Sequence, residues 1–229
     1  YLKIFIKTIQ QVVNLTCQTM NQQKRREIFQ RLHDANPNPT TELVFHSPFE
    51  LLIAVLLSAQ ATDKGVNKAT AKLFSVANTP QAILDLGLEK LMEYTRTIGL
   101  YQTKSKHIMQ TCRLLLEKHG GEVPNTREAL EELPGVGRKT ANVVLGNAFG
   151  RPAITVDTHV GRLSRRLGWT TAKDPVRVER DLSALWEPER WTDGCHRLIE
   201  HGRAVCGARA PRCGECVLLN AELCPQVGV

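Results

Sequence analysis

The stretch "LPGVGRKTANVV", residues 133–144, decides how this chain is read. Two glycines bracket one valine behind a leucine and a proline, and Arg138, Lys139 and Thr140 precede apolar residues at helical spacing. With "NTREALEE" before it, the stretch predicts two helices joined by a glycine turn. Asn125 caps the first helix, with Glu128 three residues on completing a capping-box-like pair. Pro134 and Gly135 end it. Gly137 supplies backbone freedom where a side chain would crowd. The second helix starts near Arg138 and packs Ala141, Val143, Val144 and Leu145 inward. A helix N-terminus behind a glycine turn has backbone N–H groups that can hold a phosphate. Such a grip positions one nucleic-acid strand without reading its bases. A plain connection between two helices explains the glycine spacing equally well, and a surface lysine is more often solvated than reactive.

Outward from this stretch the pattern stays helical. Apolar residues recur at three and four spacing in "FELLIAVLLSAQ", "VNKATAKLFSV", "PQAILDLGLEKLMEYTRTI", "SKHIMQTCRLLLEKH" and "REALEEL". Pro80, Gly120-Gly121, Pro124 and Pro188 punctuate the segments. No sustained alternation of period two appears, so the fold is expected to be all-α with short connections. The 229 residues suit one large domain or two small ones. The longest apolar run, "LLIAVLL" at 51–57, is far short of the roughly 20 residues of a membrane span and reads as a buried helix. Residues 1–19 are apolar and basic and read as an N-terminal extension ahead of Met20. Lys3 and Lys7 interrupt their apolar character, so no secretory signal is expected.

The formal net charge is +7 and the pI about 9.2. That balance favours an anionic partner. The charge is also clustered. From Pro134 to Arg166 there are six basic residues, Arg138, Lys139, Arg151, Arg162, Arg165 and Arg166, against one acid, Asp157. From His196 to Cys213 there are four arginines, at 197, 203, 209 and 212, against Glu200.

Seven cysteines make an odd number, and four of them lie in the last 24 residues. A general disulfide framework is therefore not expected, and a metal site is. Cys206, Cys213, Cys216 and Cys224 are separated by six, two and seven residues. Four thiolates suit a [4Fe-4S] cluster or a zinc ion, and spacing does not decide between them. The loop "GARAPR" between the first two carries Arg209 and Arg212, which a metal-closed loop can present to phosphates. Cys17, Cys112 and Cys195 read as ordinary thiols.

Taken together, "LPGVGRKTA", "SPFELLIAVLLSAQATD" (47–63), "VNKATAKL" (66–73), "TIGLY" (97–101), "VDTH" (156–159) and the terminal cysteines resemble the endonuclease III family of helix-hairpin-helix DNA glycosylases. The resemblance covers roughly Met20 to Cys224. It implies a six-helix bundle with the hairpin, about 41–151, and a second domain made of 20–40 and 152–229 that holds the cluster. Duplex DNA with a damaged base or abasic site would lie in a cleft between them. It implies a bifunctional DNA N-glycosylase/AP lyase of oxidised pyrimidines, expected to be monomeric, cytoplasmic and bacterial in type, with a [4Fe-4S] cluster. The family spacing of the cysteines is six, two and five, so the last gap here is two residues longer. A monofunctional adenine or thymine mismatch glycosylase is the nearest alternative, but such relatives lack a lysine at position 139. A non-catalytic DNA-binding module with a structural metal is the alternative of another class.

The resemblance assigns Lys139 as nucleophile and Asp157 as its partner, and the chemistry supports those residue types. An amine can attack the sugar C1′, expel the base and leave a Schiff base. Only a primary amine permits the β-elimination that then cuts the strand. An ordinary lysine amine, pKa about 10.4, is neutral in only about 1 of 2,500 copies at pH 7. The helix dipole opposes a cation at this end by only about 0.3–1 kcal/mol, so desolvation by bound DNA must do more. Asp157 suits proton acceptance and stabilisation of positive charge on the sugar. It is equally an N-cap for "THVGRLSRRLG". A helix from Arg138 to Phe149 is roughly 18 Å long, and residues 150–156 span up to about 23 Å. That is enough chain to return. His159 reads as structural or phosphate-facing.

A base inside a duplex must be flipped out before it is attacked. The resemblance places Gln60 in the resulting gap, Leu100 as the wedge and Asp63 near the same pocket. Without it, Leu100 reads as a core residue and Gln60 as a buried cap.

Overall fold

The computed structural model describes residues 22–229, so the expected extension at 1–19 lies outside the described residues. Among them every regular element is helical, and no helix is long and apolar enough to cross a membrane. The chain divides into two compact units. Thr40–Thr155 forms one, the hairpin unit. Residues up to Pro39 join Val156–Val229 in the other, the cysteine unit.

The hairpin unit is built around α2, Pro48–Ser58. Ser47 Oγ accepts the Glu50 N–H at 3.1 Å and Pro48 occupies the first turn, two signals that start a helix here. Every residue from Phe49 to Leu57 is buried, so this helix is core on all sides. α3 (Asp63–Phe74), α4 (Pro80–Leu86), α5 (Leu88–Thr95), α6 (Tyr101–His119), α7 (Arg127–Glu131) and α8 (Arg138–Phe149) follow. α3, α6 and α8 pack on α2, while α4 and α5 pack on α6.

Two local expectations are corrected. Residues 80–95 read as one amphipathic stretch, yet Gly87 takes φ 80° and ends α4 while opening α5. The hairpin unit therefore holds seven helical segments, α2–α8, with 80–95 divided in two. The cap of α7 is Thr126, whose hydroxyl accepts the Ala129 N–H, and not its neighbour Asn125.

The cysteine unit comprises α1 (22–35), α9 (Thr158–Arg166), α10 (Pro175–Leu185) and α11 (Trp191–Ala204). Its core centres on Phe29, Trp169 and Trp186, with ring centroids 5.0–5.8 Å apart in stacked and edge-on pairs. Gly194 of α11 lets Phe29 approach; a Cβ there would meet the Phe29 ring at 2.8 Å.

Candidate functional site

The glycine hairpin forms as expected, but its two glycines serve different ends. Gly135 has φ 80°, and a Cβ would meet His107 Nδ1 at 2.8 Å and Leu56 Cδ2 at 3.2 Å. Only glycine fits there. Gly137 corrects the expectation of crowding. Its φ is −99°, and a Cβ would meet nothing within 4 Å. The protein itself leaves the space before α8 open. Leu133 and Val136 are buried on either side and staple the turn to the core. Gly137 gives α8 no side-chain cap, and no acid sits in its first turn. That leaves the helix terminus with the positive character that suits an anion. Arg138 is half-buried at the first helical position, and Lys139 beside it is exposed. Ala141, Val144 and Leu145 are buried as expected, Val143 partly.

Gln60 and Leu100 are the informative surprises. Both are exposed, and both have left-handed backbone, with φ 59° and 58°. Leu100 is 65% exposed. A leucine in this conformation costs about 1–2 kcal/mol, and an exposed one gains nothing from burial to offset it. Strain of this kind collects at functional positions. The readings of Leu100 as core and Gln60 as a buried cap are therefore wrong. The two loops touch: a Cβ on Gly99 would lie 3.8 Å from the Gln60 carbonyl. Asp63 is half-buried at the start of α3, behind the Thr62 cap.

Sequence reading missed what holds these pieces in place. α6 does so along one stripe. Leu100 precedes it, the Lys104 ammonium donates to the Leu57 and Ala59 carbonyls, His107 lies against Gly135, and the Thr111 hydroxyl donates to the Pro134 carbonyl at 3.3 Å. Positions 100, 104, 107 and 111 share one helical face. Asn142 of α8 is also buried and donates to the Ile154 carbonyl at 2.8 Å. The segment after α8 is thereby held along it, three residues before Asp157 in the chain.

In the cysteine unit Asp157 caps α9, its Oδ1 accepting the Val160 N–H at 2.7 Å. His159 next to it is half-buried. Burial pushes its pKa below the ordinary histidine value, and Asp157 opposes that shift. Cys206, Cys213, Cys216 and Cys224 all line one recess, together with Leu163, Leu167 and Leu218. Among the described residues no three potential ligands converge closely enough to hold a single ion.

The basic cluster is not all a footprint for an anion. Arg162 donates to the Cys206 and Gly202 carbonyls at 3.0 Å. Arg166, 7% exposed, donates to the Gly207 and Ala208 carbonyls and to Cys206 Sγ at 3.1 Å. Arg197 is buried against Asp193 and the Asn36 carbonyl. These side chains hold carbonyls that the fold would otherwise leave unsatisfied. Arg209 is exposed, as expected. Arg212 is exposed too, but it turns back to Glu215 at 3.0 Å and to the Ala204 carbonyl.

A sequence profile of the HhH-GPD superfamily of base excision DNA repair proteins matches residues 53–188. The chain is 61% identical over 205 residues to endonuclease III of Haemophilus influenzae, covering 90% of this chain and 96% of that one. It superposes on a non-covalent endonuclease III–DNA complex with a TM-score of 0.83 and 46% identity, over 90% of this chain and 95% of that one. A trapped covalent endonuclease III–DNA intermediate, an estranged-adenine complex, gives the same score and identity over 90% and 96%. With this profile match and this identity over nearly the whole chain, the chain belongs to the endonuclease III family, the bifunctional DNA glycosylases and AP lyases of base excision repair.

Proposed function

We propose that the chain removes oxidised pyrimidines from duplex DNA, with Lys139 as nucleophile and Asp157 as its acid–base partner. One observation carries the reading. An exposed amine stands in the first turn of an acid-free helix terminus, in the same unit as two exposed residues with strained backbone. The glycine turn and the amides at the start of α8 would hold a phosphate of the damaged strand. Leu100 would unstack the duplex and Gln60 would hydrogen-bond the base left unpaired. Lys139 Nζ then bonds to C1′ as the glycosidic bond breaks, and the base departs with a proton. The sugar ring opens to the Schiff base. Loss of a C2′ proton breaks the C3′–O bond and cuts the strand. Asp157 accepts a proton from the attacking amine, and its cap of α9 fixes its backbone for the task.

The four cysteines fit a [4Fe-4S] cluster, since all four line one recess and Arg166 places positive charge against Cys206 Sγ. Its role would be to tie the "GARAPR" loop at both ends, presenting Arg209 to a phosphate.

The test uses a panel of single-lesion duplexes with the wild type and Lys139→Gln. The wild type is expected to cut oxidised-pyrimidine duplexes, and Lys139→Gln to lose cleavage at least 1,000-fold (~4 kcal/mol of barrier) while still binding. Cleavage confined to a mismatched adenine or thymine, or retained in Lys139→Gln, would overturn the proposal.

A further inference from the structure

We infer that Lys104 is a positioning residue for DNA opening, setting Gln60 and Leu100 together. This rests on the reading of those two residues as the pair that enters the duplex. Lys104 lies one turn into α6 and is only 7% exposed. Its backbone N–H donates to the Leu100 carbonyl at 3.0 Å. Its ammonium donates to the Leu57 carbonyl at 2.8 Å and the Ala59 carbonyl at 2.5 Å. The Ala59 carbonyl belongs to the peptide that enters Gln60, and the Leu100 carbonyl to the peptide that leaves Leu100. One residue therefore fixes a peptide plane beside each of the two left-handed residues.

The chemistry suits the place. A helix C-terminus carries partial negative charge and lacks donors for its last carbonyls. Helices often end on a left-handed glycine at this point. Here α2 is followed by Ala59 and then by Gln60, which is not glycine yet has φ 59°. A buried cation reaching from α6 supplies the missing donors and ties the end of α2 to the start of α6. The loops then move as a unit, so Leu100 cannot be displaced without disturbing Gln60. Burial lowers the Lys104 pKa from the ordinary lysine value, as it must for an ammonium paid only in carbonyl bonds.

The test compares Lys104→Met and Lys104→Arg with Gln60→Ala and Leu100→Ala. Single-turnover rates are measured on a duplex with an oxidised pyrimidine opposite 2-aminopurine, and on the same duplex with a preformed abasic site. Lys104→Met is expected to slow the paired lesion about tenfold or more, and the abasic site less than about threefold. The 2-aminopurine signal of base opening should slow by the same factor as the paired lesion. Lys104→Arg, which keeps charge and donors, should recover most of the rate. Equal losses on both substrates would mean a merely structural role and overturn the inference. So would a paired-lesion rate within twofold of wild type while Gln60→Ala and Leu100→Ala show the selective loss. If those two variants themselves show no selective loss, the reading of the pair fails instead, and the inference with it. Should Lys104→Met not accumulate as folded protein, Lys104→Gln takes its place under the same criteria.

Discussion

In the hairpin unit, Gln60 and Leu100 expose their side chains from strained backbone, while the basic residue behind them, Lys104, is buried. In the cysteine unit, Arg162, Arg166 and Arg197 turn inward onto backbone carbonyls, and Arg209 stays exposed. Both units thus use cations as internal donors for carbonyls. They differ in what the donors serve. In the first they set the conformation of two loops. In the second, Arg162 and Arg166 brace residues 206–208 beside a recess, and Arg197 holds the Asn36 carbonyl. Net charge of +7 is therefore a poor measure of the surface offered to DNA, because part of it is consumed inside the fold.

The inward arginines are expected to be indispensable. Arg166→Met would strand the Gly207 and Ala208 carbonyls and remove the charge at Cys206 Sγ, for a loss of about 3–5 kcal/mol. All three tryptophans, at 169, 186 and 191, lie in the cysteine unit. Their fluorescence should show thermal unfolding about 10 °C lower, and the visible absorption of the proposed iron–sulfur cluster should fall. An unchanged midpoint would make Arg166 a surface residue in effect.

The two hairpin glycines sharpen the hairpin side of the contrast. Gly135→Ala places a Cβ 2.8 Å from His107 in left-handed backbone. It should cost about 2–4 kcal/mol of stability. Gly137→Ala has room and an ordinary φ, so it should cost less than about 1 kcal/mol. Its loss should appear instead in affinity for undamaged and damaged duplex alike, measured by fluorescence anisotropy. Equal melting temperatures for the two variants would contradict the division of roles.

The smallest effect is expected at the loop between Cys206 and Cys213. Arg209→Ala should weaken binding to every duplex and lower the slope of log K against log salt by about 0.9, one phosphate contact. Arg212→Ala should change it less, because Arg212 must first leave Glu215. A larger slope change for Arg212 would reverse their assignment.

Much of this was legible in the sequence. The all-helical fold follows from apolar spacing and punctuation. The start of α8 at Arg138 follows from the glycine turn, and the Asp157 cap from an aspartate before an amphipathic helix. The rest depends on partners distant in the chain. Lys104 falls in a helical pattern where lysine reads as solvated, and its carbonyl partners lie 47 and 45 residues away. Leu100 reads as core because its letter is apolar; in the structure it is 65% exposed on left-handed backbone, φ 58°. Gly87 is itself a break signal, but it sits inside an unbroken apolar period that masks it. Asn125 and Thr126 are both good caps, and only the placement of Ala129 N–H chooses between them.

The central claim is that "LPGVGRKTANVV" combines a phosphate grip with the reacting amine. Its most direct test is borohydride reduction of the protein with an abasic-site duplex, followed by proteolysis and mass spectrometry of the cross-linked peptide. A reduced sugar adduct is expected on the Nζ of Lys139, absent in Lys139→Gln, which should still bind the duplex. An adduct on any other residue, or trapping in Lys139→Gln at the wild-type rate, would contradict it.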